Sequence, residues 1–330
     1  MKMVGIKKNL VKFFIKSLFY KFYLRYRYKI KPYESAVIEL TDKCNLECSY
    51  CPKGYGIGIG NSFLDIDKFK SIFDKLNKDL NLKELILVGF GEPLLYKNMV
   101  FALEYVYSKN KNIYTYLTTN GILYTASIAK KLSDAGLRQI TISLNFVDQE
   151  SYLKYNKSDF FERVFNNLKE VSKLENMKTR IIIQLLDLPA NKNRIDEYKK
   201  LIENEWGFEF QLQPFVNWGG QLDSDELLNI QNERNNIKRY PCAQIERSLI
   251  IQTDGSVRAC CIAMPINAKH LTIGNITEVD SVYDIINGEK LKKLKDKNMK
   301  TCLSDFPTCD KCDAWKNIPN IYLKINNKWH

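Results

Sequence analysis

Histidine is nearly absent from this sequence of 330 residues, which contains only His270 and His330. Histidine is the side chain that enzymes use most often for acid–base catalysis near neutral pH. The sequence therefore argues against histidine-based catalysis. A catalytic base would have to be a lysine, a tyrosine or a carboxylate, and the sequence does not identify it.

Acidic residues are missing from the first 33 residues, which contain ten lysines or arginines. The rest of the chain is nearly balanced, with 40 basic against 38 acidic side chains, although the formal charge of the whole chain is +12. The positive charge belongs to a terminal segment and not to a basic domain, so we expect no nucleic-acid partner.

Long apolar runs are missing from residues 1–33 as well. No uncharged run there approaches the roughly 20 residues that span a bilayer, and no small-residue cleavage site marks a signal peptide. We therefore expect a cytoplasmic protein. Lysines alternate with large apolar side chains in this segment, which leaves two expectations. One is peripheral contact with an anionic membrane surface, and the other is a pair of helices packed on the outside of the main domain.

Cysteine, by contrast, is abundant: the chain has nine, and they occur in close groups. In a long chain without a secretory signal, such grouping favours metal chemistry in a reducing cytoplasm over disulfides. Cys44, Cys48 and Cys51 follow a strand-like run and have no fourth cysteine nearby. A four-iron cluster held by three thiolates would keep one iron open. The alternative is a zinc knuckle with a distant fourth ligand.

The spacing of these cysteines, with Tyr50 before the last one, resembles the radical SAM superfamily. The resemblance implies that Cys44, Cys48 and Cys51 hold a [4Fe–4S] cluster whose open iron binds the amino and carboxylate groups of S-adenosylmethionine. The segment Gly89-Phe90-Gly91-Glu92-Pro93 resembles the GGEP motif of that family, with Phe90 in place of one glycine. The residues that the resemblance implies for S-adenosylmethionine are Tyr50, Gly89, Gly91, Glu92, Pro93, Asn120, Ser143 and Asn145.

Strand-like and helix-like segments alternate from residue 36 onward, which predicts parallel strands joined by right-handed helical crossovers. The predicted strands are Ala36–Leu40, Lys83–Gly89, Asn112–Leu117, Arg138–Leu144, Lys178–Leu186 and Phe208–Phe215. The predicted helices are Asp65–Leu80, Lys97–Ser108, Thr125–Ala135, Gln149–Leu174 and Asn193–Glu205. Six such units resemble the partial (β/α)6 barrel of radical SAM enzymes, an α/β fold with its chemistry at the carboxyl ends of the strands. Gln184, inside the fifth strand, is a weaker candidate for a ligand contact.

A second cysteine set lies in the last third of the chain. Cys242 and Cys260 flank a predicted hairpin with its turn at Asp254-Gly255, and Cys309 and Cys312 complete a set of four. Four thiolates suit either zinc or a fully ligated [4Fe–4S] cluster. The pattern resembles the SPASM/twitch module of radical SAM enzymes, and the cysteine count favours the shorter twitch form with one auxiliary cluster.

Two cysteines, Cys261 and Cys302, remain outside both sets. Adjacent cysteines do not easily bind one iron together, so we expect Cys261 to be a buried structural residue. The alternative is that Cys261 or Cys302 is catalytic and donates a hydrogen atom to a substrate radical.

Four segments follow from this interpretation. They are a basic segment at 1–33, a radical SAM barrel at 34–239, a twitch/SPASM-like module at 240–316 and a tail at 317–330. The resemblance implies two [4Fe–4S] clusters, S-adenosylmethionine, a flavodoxin- or ferredoxin-type electron donor and a small-molecule or peptide substrate. It points to oxidation of an alcohol carbon on a sugar or cyclitol, with the auxiliary cluster as electron acceptor. The alternatives are a ribosomal peptide maturase, a radical epimerase and a non-catalytic zinc-binding scaffold.

Overall fold

A computed structural model describes residues 33–58, 60–222, 239 and 241–317. The basic segment at 1–33, apart from Tyr33, lies outside the described residues, and so does the membrane contact predicted for it. The tail after residue 317 and the polar stretch at 223–238 lie outside them as well. Among the described helices, none combines the length and the apolar character needed to cross a bilayer.

Six parallel strands form the barrel sheet, in the spatial order β6-β5-β4-β3-β2-β1. Each strand pairs in parallel with the next one along the chain, as the alternation of strands and helices predicts. The prediction of a parallel α/β barrel sheet is therefore confirmed. The strands are β1 (Ser35–Ile38), β2 (Glu84–Leu87), β3 (Tyr114–Thr119), β4 (Gln139–Asn145), β5 (Arg180–Asp187) and β6 (Glu209–Pro214).

Helices connect these strands on one face of the sheet. The predicted helix at 149–174 is in fact two helices, because Lys157 adopts a left-handed conformation that ends the first of them. Side chains of Asp65, Thr125 and Asp148 cap the first turns of three helices and fix where each one starts. The barrel helices are α1 (Ile66–Asp79), α2 (Met99–Lys109), α3 (Ala126–Asp134), α4 (Gln149–Asn156), α5 (Phe161–Val171) and α6 (Ile195–Lys200).

The two faces of the sheet differ in character. One face belongs to a large apolar core that includes Ile38, Leu87 and Ile142 and packs against the helices. The opposite face has a smaller apolar cluster around Val37, Ile86 and Ile250, which Phe90 and Met264 join. Side chains alternate between faces along a strand, so this smaller cluster marks the interior of the barrel.

The cysteine-rich module continues the same sheet. Its strands β7 (Ser248–Ile251) and β8 (Ser256–Arg258) form the predicted antiparallel hairpin, and β9 (Thr272–Asn275) extends it. Strand β7 also pairs in parallel with β1 over four register positions, which makes one nine-stranded sheet. The module also contains α7 (Gln244–Arg247), α8 (Val282–Ile286), α9 (Glu289–Met299) and α10 (Pro307–Lys311).

Candidate active site

The first cysteine set lies in a tight loop after β1. The Cys51 amide donates to the Cys48 carbonyl at 3.1 Å, and the Gly54 amide donates to the Cys51 carbonyl at 3.0 Å. All three thiols are partly buried. Burial raises the pKa of Cys48 to about 12 and that of Cys51 to about 11, and neighbouring thiols add to both effects. Such thiols ionise only when a bound cation stabilises the thiolates, so the loop fits a metal-containing group.

Among the described residues, no three His, Cys, Asp or Glu side chains lie close enough together to hold a single metal ion. Thiolates that bind a four-iron cluster are attached to different iron atoms and therefore lie farther apart than the ligands of one ion. Cys44, Cys48 and Cys51 remain within electrostatic range of one another. The three thiols therefore lie near one another in the loop.

The segment Gly89–Pro93 follows β2 and packs directly against the residues that lead into the cysteine loop. A Cβ atom at Gly91 would overlap the carbonyl oxygens of Thr41 and Lys43, and one at Gly89 would overlap the side chain of Glu39. Glycine is therefore required at both positions for packing. This close packing brings two of the predicted S-adenosylmethionine residues beside the cysteines.

Glu92 joins the loops at the carboxyl ends of three strands. Its buried carboxylate accepts hydrogen bonds from Thr119 Oγ1 at 2.6 Å, the Asn120 amide at 2.8 Å and the Leu94 amide at 2.9 Å. Its own amide donates to the Lys43 carbonyl at 2.8 Å. The Glu92 side chain thus holds the Gly89–Pro93 loop to the end of β3, which is a positioning role.

The remaining predicted contacts come together at the same end of the sheet. Asn145 lies at an irregularity in the β4–β5 pairing with a left-handed φ of 65°, and its Nδ2 donates to Tyr50 Oη at 2.8 Å. Tyr50 Oη in turn donates to Asn156. Asn120 Nδ2 donates to the side chain of Asn45, next to Cys44, at 2.7 Å. The structure therefore places Tyr50, Asn120 and Asn145 around the cysteine loop.

Ser143 and Gln184 lie on the neighbouring strands β4 and β5. They are register partners across β4 and β5, and both are partly exposed. They share a face of the sheet with Tyr116 of β3, which packs against the interior apolar cluster. Burial raises the pKa of Tyr116 to about 12, so its hydroxyl is neutral at physiological pH and both donates and accepts hydrogen bonds.

Lys53, two residues after Cys51, is a site residue that the sequence analysis missed. Its buried ammonium group donates to the carbonyls of Asp42 at 2.6 Å and Gly58 at 2.8 Å, and it lies 5.2 Å from the centre of the Phe90 ring. Lysine is rarely buried, so nothing in the sequence signalled this. The cation favours the ionised forms of Cys44 and Cys51 and lowers their pKa values against the larger effect of burial.

Trp218 is the second site residue that the sequence did not reveal. Its indole Nε1 donates to the Tyr50 carbonyl at 3.1 Å, and its ring meets Phe90 edge to face at 5.8 Å between centroids. Trp218 therefore links the cysteine loop to the segment that enters the second module.

The second cysteine set also comes together. Cys242, Cys260, Cys309 and Cys312 are partly buried and interact electrostatically with one another. Burial raises the pKa values of Cys242, Cys309 and Cys312 to about 12. Buried Asn298 of α9 binds both backbone groups of Cys242, at 2.9 and 3.0 Å. Four thiols held in this way match the donor set of a fully ligated cluster.

The prediction that Cys261 is buried is wrong, because its side chain is exposed. A short 3-10 helix starts at Cys261, and the Cys261 thiol stays within electrostatic range of Cys260, Cys242 and Cys312. Cys261 interacts electrostatically with Tyr116 on the interior face and with Arg247. Cys302 is also exposed, but it follows α9 and its backbone amide binds the Lys297 carbonyl at 3.0 Å. Of these two cysteines, Cys261 therefore lies near both the second cysteine set and Tyr116.

Two family models match the chain. Residues 38–189 match the radical SAM superfamily, and residues 242–313 match the SPASM iron–sulfur cluster-binding domain. This chain belongs to the radical SAM superfamily. The radical SAM and SPASM domains imply [4Fe–4S] clusters and S-adenosylmethionine as cofactors.

Named relatives and solved structures resemble this radical SAM enzyme over different lengths. GTP 3',8-cyclase of Aliarcobacter butzleri is 30% identical over 181 residues, which are 51% of this chain and 55% of the cyclase. The chain thus spans about half the length of that relative. BtrN in complex with AdoMet and 2-DOIA superimposes with a TM-score of 0.60 at 16% identity, covering 91% of this chain and 98% of BtrN. Streptococcus suis SuiB bound to the precursor peptide SuiA gives 0.63 at 15% identity, with 87% and 71% covered. At these identities the two structures show a shared fold alone.

Proposed function

We propose that this radical SAM enzyme catalyses the net two-electron oxidation of a small hydroxylated substrate, of the sugar or cyclitol class. The observation that carries the proposal is the convergence of four thiols, Cys242, Cys260, Cys309 and Cys312, in a module whose sheet continues the barrel. A cluster with four protein ligands has no open iron for substrate, which suits it to electron transfer. When bound, the two clusters and S-adenosylmethionine supply a 5′-deoxyadenosyl radical and an acceptor for one electron.

Different residues serve the first cysteine set and the second module. Cys44, Cys48 and Cys51 would hold the first cluster, while Gly91 and Glu92 keep the adjoining loop against it. Each turnover removes one hydrogen atom from the substrate carbon, then one electron and one proton from the resulting radical. Cys242, Cys260, Cys309 and Cys312 would hold the cluster that accepts this electron, and polar groups of the barrel interior would accept the proton.

Neutral polar side chains on the interior face support a hydroxylated substrate. Ser143, Gln184 and Tyr116 offer hydroxyl and amide groups that both donate and accept hydrogen bonds. At the amino end of the same face, the guanidinium group of Arg180 is paired with both carboxylate oxygens of Glu209. Neutral hydrogen-bonding side chains beside an already paired arginine match alcohols better than they match a highly charged ligand.

We also propose an electron donor and a cellular location. A flavodoxin- or ferredoxin-type protein would deliver the electron that starts each turnover. Because cluster-binding thiols require a reducing compartment, we place the protein in the cytoplasm.

The experiment uses anaerobically reconstituted enzyme, reductant, S-adenosylmethionine and a panel of cyclitols and aminosugars. Oxidation predicts 5′-deoxyadenosine together with a product about two mass units lighter than the substrate, because two hydrogens are removed. The Cys261→Ala variant should still turn over. A product of unchanged mass, or formation of 5′-deoxyadenosine without any product, would count against oxidation.

A second candidate is radical epimerisation, which the exposure of Cys261 beside Tyr116 favours. The thiol would return a hydrogen atom to the opposite face of the substrate radical, and one electron from the electron donor with one proton from water would restore the thiol from the resulting thiyl radical. In deuterated water this reaction gives a product about one mass unit heavier, and Cys261→Ala should abolish it. That pair of results would replace oxidation with epimerisation.

Two further substrates belong in the same assay because of the similar proteins. GTP tests the activity named for the cyclase relatives, and a candidate precursor peptide tests the class to which the SuiA ligand of SuiB belongs. Conversion of either one, with no reaction of the hydroxylated panel, would overturn the proposed substrate class.

A further inference from the structure

A basic cleft opens in the second module, away from the barrel interior. Its volume is about 320 Å³, and it lies between the segment that ends at β9, helix α9 and the loop before α10. Its charged and aromatic lining consists of the side chains Lys269, His270, Lys290, Lys293, Asp305 and Phe306.

The cleft keeps a positive charge after its ion pairs are taken into account. Its carboxylate, Asp305, is shared by Lys297 at 3.2 Å and Lys293 at 3.4 Å. These lysines hold the pKa of Asp305 below its usual range, so the carboxylate stays ionised and is already neutralised. Lys269 and Lys290 are exposed, and the ion pairs formed between described residues do not include either of them.

The cleft backs directly onto the second cysteine set. His270, in its wall, accepts a hydrogen bond from the Thr308 amide at 3.4 Å, and Thr308 immediately precedes Cys309. Phe306, also in the wall, comes just before α10, which carries Cys309. A group docked in the cleft would therefore lie against the segment that carries Cys309.

We propose that this cleft is the docking surface for an acidic one-electron carrier protein of the flavodoxin or ferredoxin type. The inference rests on the proposed function, in which each turnover leaves one electron on the second cluster. The oxidised carrier takes up that electron and leaves the cluster oxidised for the next turnover, without making or breaking a covalent bond. Complementary charge accelerates such encounters and makes them sensitive to salt.

The test measures electron transfer from the second cluster to a purified acidic flavodoxin. The full chain with Cys44, Cys48 and Cys51 replaced by Ala isolates that cluster, which is reduced and mixed anaerobically with oxidised flavodoxin. Stopped-flow absorbance follows the flavin semiquinone. The docking variant adds Lys269→Glu and Lys290→Glu, and the matched control adds Lys131→Glu and Lys169→Glu on barrel helices α3 and α5.

Docking at the cleft predicts that the second-order rate constant falls as salt is added. It also predicts a drop of at least about tenfold in the docking variant but not in the control. Equal rates in all three proteins, with the cluster present, would overturn the inference alone. Saturable binding of inorganic phosphate that only the docking variant loses, with unchanged electron transfer, would mark a small-anion site and also overturn it. Absence of iron from the triple variant would instead refute the proposed function.

Discussion

Glu39 is predicted to make the stability of the protein depend on pH. Its side chain is 1% exposed at the end of β1, accepts a hydrogen bond from the Phe90 amide at 2.6 Å and meets Gln252 Nε2 at 3.4 Å. Burial raises the pKa of Glu39 from 4.5 to about 7. The folded protein therefore binds this proton more tightly than the unfolded chain does. The resulting stabilisation is complete below about pH 4.5 and is lost as the pH rises through 7.

The magnitude follows from the difference between the two pKa values. A shift of one pKa unit corresponds to about 1.4 kcal/mol, so full ionisation costs about 3 kcal/mol of folding free energy. Between pH 5.5 and 8 the change is about 2 kcal/mol, which corresponds to about 3 °C in Tm for a chain of this length. Glu39→Gln removes the titration while keeping the size of the side chain. The Tm difference between the variant and the unmodified protein should therefore increase by about 3 °C from about pH 5.5 to about pH 8.

Circular dichroism under anaerobic conditions would follow thermal unfolding of the two reconstituted proteins at several pH values. Glu175→Gln, at an exposed carboxylate on the barrel surface, is the matched control and should show no such trend. A Tm difference between Glu39→Gln and the unmodified protein that stays constant from pH 5.5 to 8 would refute the reasoning. In that case the buried carboxylate would not titrate in this range.

Three other substitutions probe the first site. Gly91→Ala would force a Cβ against the Thr41 and Lys43 carbonyls and displace the backbone that leads into the cysteine loop. Iron analysis should therefore show loss of about one four-iron cluster per chain. Normal iron content would contradict this expectation. Lys53→Gln keeps hydrogen-bond donors but removes a buried cation. An EPR redox titration should therefore give a more negative midpoint reduction potential for the first cluster. An unchanged potential would show that the charge has no effect on the cluster. Tyr50→Phe removes the partner of Asn145 and should lower stability by about 1–3 kcal/mol, measured as a lower Tm than that of an exposed-site control, Tyr283→Phe.

The barrel could be predicted from the sequence because neighbouring residues encode each of its strands and helices. Apolar runs alternate with amphipathic stretches at the spacing of parallel βα units, and the observed strands differ from the predicted ones by a few residues at their ends. The hairpin was predicted from the Asp254-Gly255 turn, which needs only neighbouring residues. The one error of this local kind was the continuous helix at 149–174, where a left-handed Lys157 gave no signal in composition.

Contacts that are distant in sequence could not be predicted in this way. Strand β7 joins β1 across more than 200 residues, as the Ser248–Ser35 hydroxyl contact at 3.1 Å shows, and no periodicity encodes that pairing. Burial of Lys53 depends on two backbone carbonyls and the Phe90 ring, which only the folded loop brings together. The surroundings of Cys261 include Tyr116, which is distant from it in the sequence. The cysteine sets, in contrast, were recognisable because their spacing is itself the signal.

Metal analysis of the anaerobically reconstituted protein, combined with Mössbauer spectroscopy, would count its iron–sulfur clusters directly. We expect about eight iron atoms per chain in two [4Fe–4S] clusters and no stoichiometric zinc. With Cys44, Cys48 and Cys51 replaced by Ala, about four iron atoms should remain and cleavage of S-adenosylmethionine should be lost. About four iron atoms together with bound zinc in the unmodified protein would contradict the account. The second cysteine set would then be a structural zinc site without a role in electron transfer.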